Sequence, residues 1–168
     1  ENFGSGLVVP GLGFLLNNAM DDFTTLAGRA NRDGLLQGIP NLVDPTKRPA
    51  SSLSPTIILR GGKPFLALGT AGGPAIPTTI LQVFLNVVSY RMSVVDAIAA
   101  PRYHHQAVPE EMLFETGRAP RQTIDALNAM GHGVAGRAAI GDVHAVLFEG
   151  ARLIAVADPR HGGAAGGF

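Results

Sequence analysis

The spacing of apolar and polar residues changes several times along the chain, and each change marks an element. Leu7-Val8-Val9 and Phe14-Leu15-Leu16 are short apolar runs separated by Pro10-Gly11 and Gly13, which predicts two strands around a turn. Residues 24–50 follow neither the strand nor the helix period and are rich in Gly, Asn, Asp, Pro and Arg. The segment reads as a long surface loop, and because loops of that length commonly carry function, it is expected to lie over a site. Residues 56–59 and 64–68 flank Arg60-Gly61-Gly62-Lys63, where Gly-Gly supplies the positive φ angles of a tight hairpin. After Gly72-Gly73-Pro74 the period becomes helical, with Ile80, Phe84, Val87 and Val88 on one side through Ser89.

A second, short helix is expected after Ser93, which with Asp96 resembles a capping box; Val94, Val95 and Ile98 form its apolar side, and it stops before Pro101. Pro120 suits the first turn of a third helix, with Ile124, Leu127 and Met130 facing inward and Gly131 as its C-cap. Residues 143–148 and 153–157 flank Glu149-Gly150 as a second hairpin. Strands, then helices, then strands, without regular alternation, predict α+β layers rather than a wound parallel sheet. No internal repeat or linker divides residues 1–168, which read as a single domain.

Composition narrows the function classes. With 46% hydrophobic and 15% charged residues the chain can bury a core. Its formal charge is zero, and it has no run of Lys or Arg with which to build a surface for nucleic acid or anionic lipid. The absence of Cys excludes disulfides, thiolate metal sites and a cysteine nucleophile. No apolar run approaches the roughly 20 residues of a spanning helix. The chain opens at Glu1 without a Met or a basic-then-apolar leader, so it is expected to be a cut or processing product.

Three segments could carry chemistry. Gly72-Gly73 stands where an apolar strand gives way to a helix, so free amide N–H groups and the positive end of the helix dipole can meet an oxyanion; taken alone, the pair is more simply read as a purely structural turn. Ser51-Ser52, between Pro49 and Pro55, presents two hydroxyls from a stiffened loop, either to clamp a carboxylate or as an ordinary Ser-rich turn. In Asn17-Asn18-Ala19-Met20-Asp21-Asp22-Phe23, one of the two acids can enter a cleft and meet an ammonium group, or both can cap a turn or face water. No His–acid spacing for a metal accompanies them, and no cofactor is expected. His104 and His105, adjacent on an extended stretch, point to opposite sides and read as structural. Asp158-Pro159-Arg160 reads as a local ion pair that shapes the terminus.

Together these segments resemble the small subunit of gamma-glutamyltransferases. The resemblance rests on Glu1-Asn2-Phe3-Gly4-Ser5-Gly6, residues 16–23, Arg48-Pro49-Ala50-Ser51-Ser52-Leu53-Ser54-Pro55-Thr56, Gly69-Thr70-Ala71-Gly72-Gly73, Ala100-Pro101-Arg102-Tyr103-His104-His105-Gln106 and Ala157-Asp158-Pro159-Arg160, in family order over nearly the whole chain. It implies an N-terminal-nucleophile (Ntn) hydrolase fold, a four-layer αββα sandwich to which this chain supplies part, produced by self-cleavage of one precursor into a large and a small subunit. It also implies a threonine nucleophile upstream of Glu1, an asparagine immediately before Glu1 that helps bind the substrate amine, and a large-subunit arginine for the substrate carboxylate. Carried onto this sequence, Asp22 takes the substrate α-amino group, Ser51 and Ser52 its α-carboxylate, and Gly72 and Gly73 the oxyanion. The implied partners are the large subunit, a gamma-glutamyl compound such as glutathione, and an amino-acid or peptide acceptor; the implied location is periplasmic or extracellular. Ala19 stands where many members carry an acidic or amide residue, so one polar contact to the amine is missing. Asp22 favours a free amine over a glutaryl group. The alternatives are a non-catalytic amino-acid-binding homologue and a related acylase of glutaryl or polyglutamate type.

Overall fold

A computed structural model describes residues 4–167; Glu1, Asn2 and Phe3, where the family resemblance begins, lie outside the described residues. The chain divides after Ser52 into two compact units.

In the first unit the expected pairing of residues 7–9 with 14–16 shrinks to one antiparallel bridge, Val8 to Leu15, flanked by backbone hydrogen bonds from Val9 to Phe14 (3.0 Å) and from Leu16 to Leu7 (2.9 Å). It stops there because neither side of the ribbon is buried: Leu7, Val8 and Phe14 are all more than half exposed, and a two-stranded ribbon without an apolar face gains little from lengthening. Residues 24–50 form the expected loop, without a strand of their own. One 3-10 turn at Ile39–Asn41 and a parallel bridge from Thr24 to Leu42 organise it, and a second 3-10 turn at Ala19–Asp22 precedes it.

The second unit is built on a four-stranded antiparallel sheet. Strands β1 (Thr56–Arg60) and β2 (Lys63–Ala71) form the predicted hairpin, with Gly61 and Gly62 at φ 56° and 77°. Strands β6 (Asp142–Glu149) and β7 (Arg152–Val156) form the other hairpin, and the order is β1-β2-β6-β7. Helix α1 (Ala75–Val88) and helix α2 (Val94–Ala99) cover one face. Leu66 and Leu68 from β2 and Val143, Ala145 and Leu147 from β6 meet Ile76, Ile80 and Val83 from α1 and Val94, Ala97 and Ile98 from α2. Each Leu, Ile or Val side chain among them, fully enclosed, contributes roughly 1.5–3 kcal/mol. Alternation on the strands sends Ile57, Leu59 and Leu153 to the opposite side, where each is more than half exposed. Ser93 caps α2 as expected, its Oγ accepting from the Asp96 amide at 3.1 Å, while the Asp96 carboxylate accepts from the Ser93 hydroxyl at 2.6 Å.

A second sheet was not legible in the pattern. Strands β3 (Tyr103–His104), β4 (Met112–Glu115) and β5 (Val134–Arg137) join in that order, antiparallel then parallel. All are four residues or shorter and β5 contains Gly136, so none shows two full alternations. The third helix, α3 (Arg121–Ala129), follows Pro120 and ends with Gly131 at φ 90°. Met130, expected inward, is 75% exposed because the helix stops one residue before it. Between the layers, the Gln82 side chain of α1 grips β3 by both its groups, donating to the Tyr103 carbonyl (2.8 Å) and accepting from the Tyr103 amide (3.1 Å).

Candidate active site

In the first unit, Asp22, Ser51 and Ser52 line one pocket of about 90 Å³, together with Asn31, Asp33, Leu35, Gln37 and Ala50. Two amide side chains shape it. Asn41, only 7% exposed, donates to the Asp22 carbonyl (2.8 Å) and accepts from the Ala50 amide (2.8 Å), tying the backbone of Asp22 to the residue beside Ser51. Asn31 donates to the same carbonyl (3.1 Å) and accepts from the amides of Asp33 (3.1 Å) and Leu35 (3.0 Å). Four backbone segments of a loop with little apolar burial are thereby held to one another, since buried polar groups must find partners. Of the loop over residues 24–50, Asn31, Asp33, Leu35, Gln37 and Ala50 line this pocket.

The two adjacent acids separate. Asp21 turns outward to Arg32 at 2.7 Å, whereas Asp22 is half-buried and faces the pocket. Burial first, then the negative charges of Asp33 and Asp21, push the Asp22 carboxyl above the usual range; Arg32 opposes them. A cationic group entering the pocket would relieve that cost.

In the second unit, Gly72 and Gly73 form the turn between β2 and α1, at φ 141° and 57°. Their carbonyls accept from Ala75 (3.2 Å) and Ile76 (3.0 Å), opening α1. No side chain caps the helix N-terminus, so the first amides lie at the positive end of the dipole without a side-chain acceptor. A Cβ on Gly72 would come within 3.3 Å of the Gly141 Cα. The turn therefore rests on Gly141, at φ 74°, and the neighbouring Asp142 amide donates to Thr70 Oγ1 at 2.8 Å.

That support is itself held by four charged side chains, each at most 2% exposed: Arg102, Glu115, Asp158 and Arg160. Asp158 Oδ2 accepts from Arg102 (2.7 Å) and from the Val143 amide (2.8 Å). Glu115 accepts from the amides of Ile140 and Arg102 (both 3.0 Å) and from Arg160. Arg102 donates to the carbonyls of Ile140 (2.9 Å) and Ile98 (2.7 Å), and Arg160 to those of Ile98 and Ala100 (both 2.8 Å), so two cations sit at the C-terminal end of α2. Burial alone would raise both carboxyls; the guanidinium and amide donors outweigh it and hold Glu115 and Asp158 below their usual range. For Arg160, burial is likewise outweighed, by Glu115 and Asp158, and its pKa rises. The expected local pair of Asp158 and Arg160 is present at 3.1 Å, but as one edge of a larger network. His104 is buried between Thr78 Oγ1 (2.9 Å) and Gln106 Oε1 (3.0 Å), while His105 is exposed.

A family model described as Gamma-glutamyltranspeptidase matches residues 1–168. The chain belongs to the gamma-glutamyltranspeptidase family. It is 43% identical over 94% of its length to the glutathione hydrolase proenzyme of Escherichia coli K12, and 40% identical over 95% to that of Pseudomonas aeruginosa PAO1. It spans 27% and 29% of those two curated relatives. Among solved structures, gamma-glutamyltranspeptidase from Pseudomonas nitroreducens complexed with L-DON superposes with a TM-score of 0.91 at 40% identity, over 99% of this chain and 88% of that one. The fold of this gamma-glutamyltranspeptidase-family chain is accordingly the mixed α+β, Ntn-hydrolase fold that the sequence predicts.

Asn31, Asp33 and Gln37 in the pocket, with Asn41 behind it, and Arg102 with Glu115 in the network, escaped the sequence reading. The former are scattered over a loop without period; the latter stand 13 residues apart with nothing in the pattern to pair them. Only the density of Asn, Asp and Gln in an otherwise featureless loop hinted at the wall.

Proposed function

We propose that this chain provides the amino-acid pocket and the oxyanion turn of an enzyme that hydrolyses or transfers gamma-glutamyl groups through a threonyl acyl-enzyme. The observation that carries the reading is that Asp22 and the distant pair Ser51-Ser52 line a single small pocket. A carboxylate and two hydroxyls on one wall match the two charges of an α-amino acid: Asp22 accepts from the ammonium group, and the hydroxyls donate to the carboxylate. Asp22, whose charge is already disfavoured by burial and by Asp33, gains most when an ammonium arrives. In this reading the amides of Gly72 and Gly73 receive the oxyanion formed as the nucleophile adds to the gamma-carbonyl. Glycine is required there because both residues lie at positive φ and a methyl on Gly72 would press on Gly141.

The nucleophile belongs to a threonine upstream of residue 1, whose α-amine serves as its base; this chain alone is inactive. The large subunit is the other product of the same precursor, and the mature enzyme acts outside the cytoplasm. The relatives named as proenzymes support the precursor. The processed enzyme, made from the complete precursor, is expected to release p-nitroaniline from a gamma-glutamyl anilide. Asp22→Ala raises KM at least about tenfold, the loss of one charge-assisted hydrogen bond; an unchanged KM removes Asp22 from the amine site.

A further inference from the structure

The pocket contains a second carboxylate that the family resemblance does not supply. Asp33 lines the same wall as Asp22, Ser51 and Ser52 and is half-buried there. Its position is fixed from behind: the Asp33 amide donates to Asn31 Oδ1 at 3.1 Å, and Asn31 Nδ2 donates to the Asp22 carbonyl at 3.1 Å, so a single amide side chain sets the two acids relative to each other. Asp21, the third acid of the segment, is engaged outside by Arg32 at 2.7 Å. Asp22 and Asp33 are the acids that line the pocket. Ala19, meanwhile, is a methyl where a polar contact to the amine is expected.

We infer that Asp33 is a specificity-determining residue, giving the ligand's α-ammonium group a second carboxylate in place of the contact that Ala19 cannot make. The inference rests on the gamma-glutamyl reading of the pocket. Two carboxylates around one ammonium favour acyl donors that carry a free amine and penalise donors that place a carboxylate or a neutral group at that position. Burial first, and then the repulsion of Asp33, hold Asp22 above its usual range; a bound cation offsets both, so discrimination arises from attraction and relief together.

The test uses the processed enzyme from the complete precursor and two chromogenic donors, gamma-glutamyl p-nitroanilide and glutaryl p-nitroanilide, which differ by the amine. Asp33→Asn is expected to raise KM for the gamma-glutamyl donor about tenfold, to leave KM for the glutaryl donor unchanged or lower, and to shift the acid limb of kcat/KM to lower pH as Asp22 loses its neighbour's charge. Asp33→Glu restores the charge and should return the gamma-glutamyl KM to within about threefold of the parent. An Asp33→Asn enzyme with an unaltered gamma-glutamyl KM overturns the inference while leaving the gamma-glutamyl reading intact. Equal losses on both donors, with no recovery in Asp33→Glu, show Asp33 to be structural and overturn it as well. If the parent enzyme turns over neither donor, the functional reading falls, and this inference with it.

Discussion

The pocket around Asp22 and the network around Arg102 are both assembled from charge, and they treat it in opposite ways. In the network, two cations and two anions lie at most 2% exposed and are tied to one another and to the backbone, so the carboxylates are more comfortable ionised than they would be in water. In the pocket, Asp22 is half-buried beside other acids and less comfortable ionised than in water. The network favours the charge of its two acids from within the chain, whereas the pocket leaves that of Asp22 disfavoured. A buried carboxylate held ionised by its partners acts on structure, and one whose charge is disfavoured in a pocket is suited to meeting a cation.

That contrast is broken most forcefully at Asp158. Asp158→Ala strands the Arg102 guanidinium and the Val143 amide in the interior, and the loss of one partner of a buried pair should cost about 3–5 kcal/mol, read as a lower denaturant midpoint. Asp22→Ala in the same assay is expected to leave the midpoint nearly unchanged while raising KM. Leu66→Ala, in the core between β2 and α1, should cost about 2–5 kcal/mol and serves as the uncharged reference for the second unit. Next in size is Asn41→Ala, which deprives the Asp22 carbonyl and the Ala50 amide of their shared partner. About 1–3 kcal/mol is expected, with a rise in KM, because this residue links the backbone of both pocket edges.

The smallest effects concern pH and have opposite signs in the two regions. Glu115 and Asp158 have folded pKa values below their unfolded ones, so the unfolded chain binds more protons in acid. Their contribution to stability is complete above the ordinary carboxylate range and is lost as pH falls through the folded values. Asp22 has a raised folded pKa, so the folded chain holds its proton longer, and stability declines as pH rises through that value. Asp22→Asn should therefore melt at the same temperature or slightly higher near neutral pH while binding the amine worse, and Glu115→Gln should flatten the acid side of the stability profile.

Much of the second unit was readable from the chain because its hairpins, helices and caps are local. Gly61-Gly62 turns the hairpin and Ser93 caps α2 as expected; the Ile80 stripe holds at Ile80 and Val87, but Ile76 and Val83 join it in the core while Val88 and, on α2, Val95 are exposed. What escaped was what distant residues decide together. Strands β3 to β5 are too short to show a period, and Glu115 joins Arg160 across 45 residues. The residues assigned to the substrate were named from motifs, but the amide clasp of Asn31 and Asn41 was not, since side-chain bonds to backbone across a loop leave no spacing to read. The pairing of residues 7–9 with 14–16 failed in the other direction: its apolar runs suggested strands, but the described unit offers them no face to bury against.

A methyl on Gly72 would stand 3.3 Å from the Gly141 Cα, and one on Gly141 would stand 2.8 Å from Thr70 Oγ1 and 3.0 Å from Thr79 Cγ2. The clearance of the β2–α1 turn is thus a machining tolerance of a few tenths of an ångström, set by the residue just before β6. Anyone reshaping this turn has to treat remote codons as a single part: enlarging Gly72 presses on Gly141, enlarging Gly141 presses on Thr70 and Thr79, and room for a new group must be cut beside β6 before it can be added after β2.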